Sequence, residues 1–345
     1  MNSLERFLAT VERKPVDRPA VWLGLPDTKA LPGLFAHFGG DSVEALREKL
    51  GDDFHPVELP YHSPVSDHIY AAFDFAKQGA VDAEERTLTT PGYFEDCDDP
   101  QLVEKFDWPE PEKYVDPTLC AQSVADAPEG KVVLGVLWSA HFQDTCAAFG
   151  MESALVTMLT DPDVYRAVDE KIVDFYLRAN RIFYEATRGK LHAVLIGNDM
   201  GSQIGLMLSP ALVRAFVMPG AKRLVAQAKS YGLKVIYHSC GAISEIIPDL
   251  IEAGVDIVHP IQALAVGMEP ERLKSMYGER VSFCGGVDAQ HLLVNGDAAA
   301  VAEKVLALRT LFPTGLVISP SHEAILPDIR PENIAALFDA MQAGG

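Results

Sequence analysis

Residues 193–241 read AVLIGNDMGSQIGLMLSPALVRAFVMPGAKRLVAQAKSYGLKVIYHSCG. A short apolar run is followed by a capping serine before a proline, Ser209-Pro210, then a segment of helical period, then Gly232 where that helix should stop, then a second apolar run. The same alternation continues downstream. It predicts strands at 193–198, 234–239, 256–260, 281–285 and 315–319, with Gly254 ending one intervening helix and Pro331 opening the last. Units of about thirty residues suit right-handed parallel crossovers.

Three more apolar runs lie upstream: AVWLGL (20–25), FHPVEL (54–59) and VVLGVLW (132–138). Together the eight runs predict an α/β fold, a (β/α)8 TIM barrel occupying residues 1–345 as a single domain. A doubly wound sheet would carry a glycine-rich phosphate turn after an early strand, and no G-x-G-x-x-G is present. Residues 60–130, rich in Asp, Glu and Pro, break the alternation and are expected to form an insertion of hairpin and loops, a lid over the carboxyl ends of the strands. Asp52 and Asp53, adjacent and splayed if extended, are expected in a solvated turn.

The 345 residues fall within the size range of single barrels, and 48% hydrophobic with 23% charged residues is ordinary globular composition. Lys and Arg number 29 against 49 Asp and Glu, a formal charge of −20. That field disfavours nucleic acid and anionic membrane as main partners. The five cysteines are odd in number and widely spaced, and the opening MNSLERFLATVERK lacks the uninterrupted apolar core of a secretory signal. A soluble, cytoplasmic protein is expected, with a homodimer left open.

Catalysis in such a barrel sits at the carboxyl ends of the strands. Polar residues recur there after five successive runs: Asn198, Asp199 and Gln203; His238 and Cys240; His259 and Gln262; Asp288 and Gln290; His322 and Glu323. Barrel loops are polar in any case, so the recurrence carries more than any single residue. The sharpest feature is His238-Ser239-Cys240-Gly241. Residues i and i+2 of an extended segment share a face, so imidazole and thiolate can converge on a borderline-soft metal such as zinc. H-x-C alone also suits a buried thiol beside a hydrogen-bonded histidine. A third ligand must come from another strand; His322 is the best placed, with Cys284 as the rival.

In order along the chain, GNDMGSQIGLMLSP (197–210), KVIYHSCG (234–241), GVDIVHPIQ (254–262), FCGGVDAQ (283–290) and SPSHEAILPDIRPENI (319–334) resemble the uroporphyrinogen decarboxylase superfamily. The resemblance runs over most of the chain, includes ERKPVDRPAVWLG (12–24), and implies a (β/α)8 barrel. True uroporphyrinogen decarboxylases carry an arginine-bearing segment after the first strand. Here that segment, LGLPDTKALPGLF (23–35), has Lys29 as its only basic residue. The chain is more similar to the branch of zinc-dependent methyltransferases that serve thiols and corrinoids, which use an H-x-C pair and a later cysteine. His238 and Cys240 match the pair; His322 stands where the cysteine would be.

The resemblance therefore implies a zinc-dependent methyltransferase or demethylase acting on a small methylated substrate, with a corrinoid (cobalamin) as methyl carrier, free or on a corrinoid protein. His238, Cys240 and His322 would hold the metal. Asp199 and Glu323 would manage protons or orient the histidines. Asn198, Gln203, His259, Gln262, Asp288 and Gln290 would bind substrate. Two other readings stay open, a decarboxylase or other lyase acting on a small acid and a non-catalytic corrinoid- or ligand-binding protein.

Overall fold

In the computed structural model, which describes residues 1–76 and 87–342, nine strands are present among the described residues: β1 (Leu25–Pro26), β2 (Phe54–Glu58), β3 (Val132–Trp138), β4 (Ala193–Gly197), β5 (Lys234–His238), β6 (Ile257–Ile261), β7 (Ser282–Val287), β8 (Leu316–Pro320) and β9 (Ala324–Ile325). Strands β2 to β8 pair in chain order, all parallel, as one curled α/β sheet. The helices between them begin and end on the predicted punctuation. The Ser209 hydroxyl accepts the Leu212 N–H with Pro210 at the first helical position, Gly254 closes the helix Ile247–Ala253, and Pro331 opens Pro331–Gln342.

Alternation along each strand sorts side chains into two cores. Ala193 and Leu195 face inward, whereas Val194 and Ile196 meet the outer helices. The inner cluster takes Ala20 and Trp22, Phe54, Leu134, Leu195, Ile236, Ile257, Cys284 and Val317, so the 20–22 run and all seven sheet strands contribute to it. Filling the interior with side chains makes it a packed core and not a pore. Phe7 and Val11, from the helix Ser3–Val11, close its amino-terminal end, with Phe7 edge-on to Phe54 at 5.3 Å.

The run 20–25 differs from expectation in its hydrogen bonding. Val21 makes one parallel bridge to Ile318 of β8, and only Leu25–Pro26 forms a strand, paired with β9. The cause lies in Asp52 and Asp53, both fully buried and not in a solvated turn. Asp53 Oδ2 accepts the Val21 amide at 2.9 Å and Asp52 Oδ2 the Leu23 amide at 3.2 Å, so carboxylates replace ladder carbonyls on that side. Both carboxylates thus serve one segment from the interior, where a solvated turn is expected. Arg6 and Arg18 hold Asp53 at 2.8 and 2.7 Å, Arg47 holds Asp52, and the arginines supply the charge that burial demands.

Residues 77–86, inside the 60–130 segment, lie outside the described residues. The described parts of that segment hold short helices and an antiparallel bridge between Ala76 and Gly92. An aromatic cluster containing Phe73, Phe75, Phe94 and Trp108 fastens them to Phe175 of the long helix Pro162–Ala186. No helix among the described residues is long and apolar enough to cross a membrane.

Asp53→Ala should leave the part-buried Arg18 guanidinium and the Val21 amide without their carboxylate and Arg6 with Asp17 alone, a loss of about 3–5 kcal/mol. A lowered urea midpoint at unchanged slope would register it, and an unchanged midpoint would show that the network does not hold the first run.

Candidate active site

His238 is the last residue of β5, and its two ring nitrogens face different neighbours. Nε2 lies 3.5 Å from Cys240 Sγ and 3.2 Å from Asp199 Oδ1; Nδ1 lies 2.9 Å from His259 Nδ1 and 3.5 Å from Glu323 Oε2. Two sets of donor atoms, each mutually within 4.8 Å, result: Asp199, His238 and Cys240, and His238, His259 and Glu323. The predicted His-x-Cys convergence is thus present, with both side chains turned to one side of the chain.

The backbone holds this in place. Asp199 Oδ1 also accepts the Cys240 amide at 2.8 Å, and Gln262 Oε1 accepts the Gly241 amide at 2.7 Å. Gly241 sits at φ +84°, and a Cβ there would come within 2.4 Å of the Gly201 backbone, so only glycine lets these two loops cross. Glu323 is fixed through its carbonyl, which accepts the Leu25 amide at 2.6 Å. Gly24 is packed against that carbonyl so closely that a Cβ would lie 2.3 Å from it.

Charge follows geometry. Burial alone would lower the His238 pKa, but Glu323 and a hydrogen bond with Asp199 drive it well above the ordinary histidine value. Burial pushes the Cys240 thiol up, yet hydrogen bonds to His238 and His322 more than reverse this and leave it below the usual thiol value. Asp199, raised by burial but hydrogen-bonded to His238, falls to about 2. His259 is pushed well below its ordinary value by burial and by the neighbouring His238 charge. A neutral His259 accepts at Nδ1 from the His238 Nδ1–H and carries its own proton on Nε2, which is buried without a partner.

His322 stands beside Cys240, with Nδ1 accepting the Ala324 amide at 3.0 Å, and belongs to neither donor set. Cys284 packs in the inner core 3.4 Å from Ser319 Oγ, its thiol pushed up to about 12 by burial. Asn198 is buried, accepting the Phe142 amide and donating to the Tyr237 hydroxyl. Asp288 accepts the Gln290, His291 and Leu292 amides at the start of a short helix. Gln203 and Gln290 have exposed side chains, and His259 lies beneath His238 against the Trp22 ring.

His238, Asp199 and Glu323 open into a cleft of about 530 Å³. Other walls come from the first half of the chain, which sequence reading passed over: Trp138, Gln143, Asp144, Glu58, Asp27 and Tyr70. Trp138, at the end of β3, takes φ +54°, uncommon for a bulky residue, and stands edge-on to His238 at 5.4 Å. Applying the strand-end rule to VVLGVLWSAHFQD would have found it. Asp144 is partly open to the cleft and otherwise enclosed; Tyr176 donates to it at 2.5 Å, and burial pushes its carboxyl up to about 7.

A parallel α/β sheet carrying imidazole, thiol and carboxylate at its carboxyl ends defines the class of protein. The chain belongs to the Uroporphyrinogen decarboxylase (URO-D) family, whose model matches residues 84–344. A curated relative, the uroporphyrinogen decarboxylase of Syntrophotalea carbinolica, is 26% identical over 191 residues, 53% of this chain and 50% of that protein. The chain thus spans about half the length of that relative. Among solved structures, a methyltransferase from Methanosarcina mazei is similar in fold over 99% of this chain and 98% of its own, with TM-score 0.73 at 16% identity.

An acid whose pKa is higher in the fold than in the unfolded chain binds its proton more tightly when folded. The Asp144 contribution is therefore intact below the unfolded value of 3.8 and lost as pH climbs toward about 7. Thermal melts across roughly pH 4 to 8 should show a decline in that window which Asp144→Asn flattens. A variant with the same slope as the parent would assign the decline elsewhere.

Proposed function

We propose that this chain is a zinc-dependent methyltransferase or demethylase acting on a small methylated substrate, on a closed (β/α)8 barrel in which Ala20–Leu23 is the eighth stave. The whole of 1–345 is one domain on this reading, and 60–130 covers the carboxyl ends of the strands. The observation that carries the proposal is the donor set of His238 Nε2, Cys240 Sγ and Asp199 Oδ1 at the cleft.

This set fits zinc. Ligand lengths of about 2.0 Å to nitrogen or oxygen and 2.3 Å to sulfur give tetrahedral edges of roughly 3.3–3.6 Å. The N···S and N···O separations here are 3.5 and 3.2 Å. When bound, zinc would supply Lewis acidity, polarising the atom that gives up a methyl group or stabilising a bound thiolate. The protein's part is orientation. Glu323 and neutral His259 engage Nδ1 of His238 and so leave Nε2 for the metal, the arrangement by which an outer carboxylate fixes a ligand's tautomer. A hydrogen bond from His322 favours the Cys240 thiolate that a metal requires. Three ligands leave a fourth position for substrate.

A cleft of this volume takes a small molecule. The corrinoid accordingly enters the proposal as the second substrate, reaching the opening from outside. A lyase acting on a small acid finds less support, because no lysine or arginine is among the described residues lining the cleft.

Purified protein should contain about one zinc per chain and remove methyl groups from methylcobalamin or transfer them to a cobamide. His238→Ala and Cys240→Ala should lose metal and activity together, while His259→Ala should keep most of its metal. Elemental analysis of Asp199→Ala and His322→Ala identifies the third ligand. Observed geometry predicts loss in Asp199→Ala, and loss in His322→Ala alone would return the role to the residue that sequence order favours. Full zinc in all four ligand variants would end the metal reading.

A further inference from the structure

The charge and surface of the cleft walls carry a statement about what fits inside. Asp27 and Glu58, Asp199 and Glu323 all present carboxylates to it, against the single imidazole of His238, and among the described lining residues there is no lysine or arginine. Asp199 and Glu323 lie at His238, whose positive charge, or a metal's, they balance. Asp27 and Glu58 are not balanced in this way. Among the described residues the Asp27 carboxylate accepts the backbone amide of Lys29 and makes no ion pair within 4 Å, and Glu58 has the His68 imidazole 3.8 Å away.

Two aromatic side chains, Trp138 and Tyr70, line the cleft with these charges. Trp138 ends β3, two residues beyond Val136, which pairs with Glu58 of β2, and Tyr70 lines the same cavity, stacked on His68. Aromatic faces together with uncompensated carboxylates attract a cation whose charge is spread over methyl groups, because such an ion sheds its water easily and meets both a quadrupole and a negative field. A net charge of −20 adds long-range attraction of the same sign.

We propose that the cleft selects a small methylated onium cation, such as a quaternary ammonium, over neutral or anionic molecules of the same shape. This rests on the methyltransfer reading for its role and on the cavity walls alone for its binding. A sulfonate or carboxylate substrate would face Asp27 and Glu58 with no lysine or arginine among the described lining residues, and the one cationic group there, His238, already lies between Asp199 and Glu323.

The test is calorimetric titration of the full chain with choline, with its neutral isostere 3,3-dimethylbutan-1-ol, and with the anion 3,3-dimethylbutanoate. Choline should bind about tenfold tighter than the alcohol and weaken as salt is added, and the anion should bind least. Glu58 and Tyr70 have side chains 62% and 48% exposed, so Glu58→Gln and Tyr70→Ala will fold. Each should weaken choline several-fold, with the alcohol weakened less, so that the preference for choline falls. Equal affinity for all three, preference for the anion, or no saturable choline binding up to roughly 0.1 M would overturn the proposal. Choline binding with no methyl transfer to a cobamide would remove the methyltransferase reading and leave the cation cleft standing. Methyl transfer from a neutral donor without choline binding would do the reverse.

Discussion

Two adjacent buried carboxylates hold this structure together at the place where a curled parallel sheet is weakest. The first apolar run touches its neighbour β8 through a single bridge, and its amides on the other side would be stranded without Asp52 and Asp53. Burying two charges this way is tolerable only because Arg6, Arg18 and Arg47 are brought in with them. The consequences reach the site. Arg47 also donates to the Gly24 carbonyl, Gly24 packs on Glu323, and β1 lies beside β9, so the network that fixes the first run also sets the carboxylate facing His238.

From there the site is organised by one imidazole. The protonated ring has two donors: Nδ1–H faces His259 and Glu323, and Nε2–H faces the Cys240 sulfur and the Asp199 carboxylate. The buried, low-pKa His259 is what makes this asymmetric, since a protonated His259 could only repel its neighbour. Its unpartnered Nε2 is the polar cost of that arrangement.

Much of this was legible in the sequence. The second half advertises its strands because both faces are buried and the helix ends carry serine, proline and glycine where physics wants them, and His238 with Cys240 followed from two-residue periodicity. The first half was harder. A run such as 20–25 looks like any other strand, and nothing in it reports that its amides bond to side chains. Asp52 and Asp53 read as solvated because two of their arginine partners lie 35 and 47 residues away, outside any local window, and the one nearby, Arg47, looks like an ordinary helix-end cation. Trp138 and Asp144 were overlooked for a different reason: the strand-end rule was applied only where the alternation was regular. Asn198, Gln262 and Asp288 stand at strand ends as expected, but their polar groups fasten loops to one another, a duty that residue type alone does not reveal.

The helix Ser3–Val11 has one more implication. With Phe7 and Val11 packed across the amino end of the inner cluster, the cleft at His238 lies at the carboxyl ends of the strands. Under the proposed methyl transfer both reactants would use that opening, so partners too bulky to share it would have to take turns. An ordered or alternating rate law would then follow from the N-terminal plug, far from the chemistry it governs.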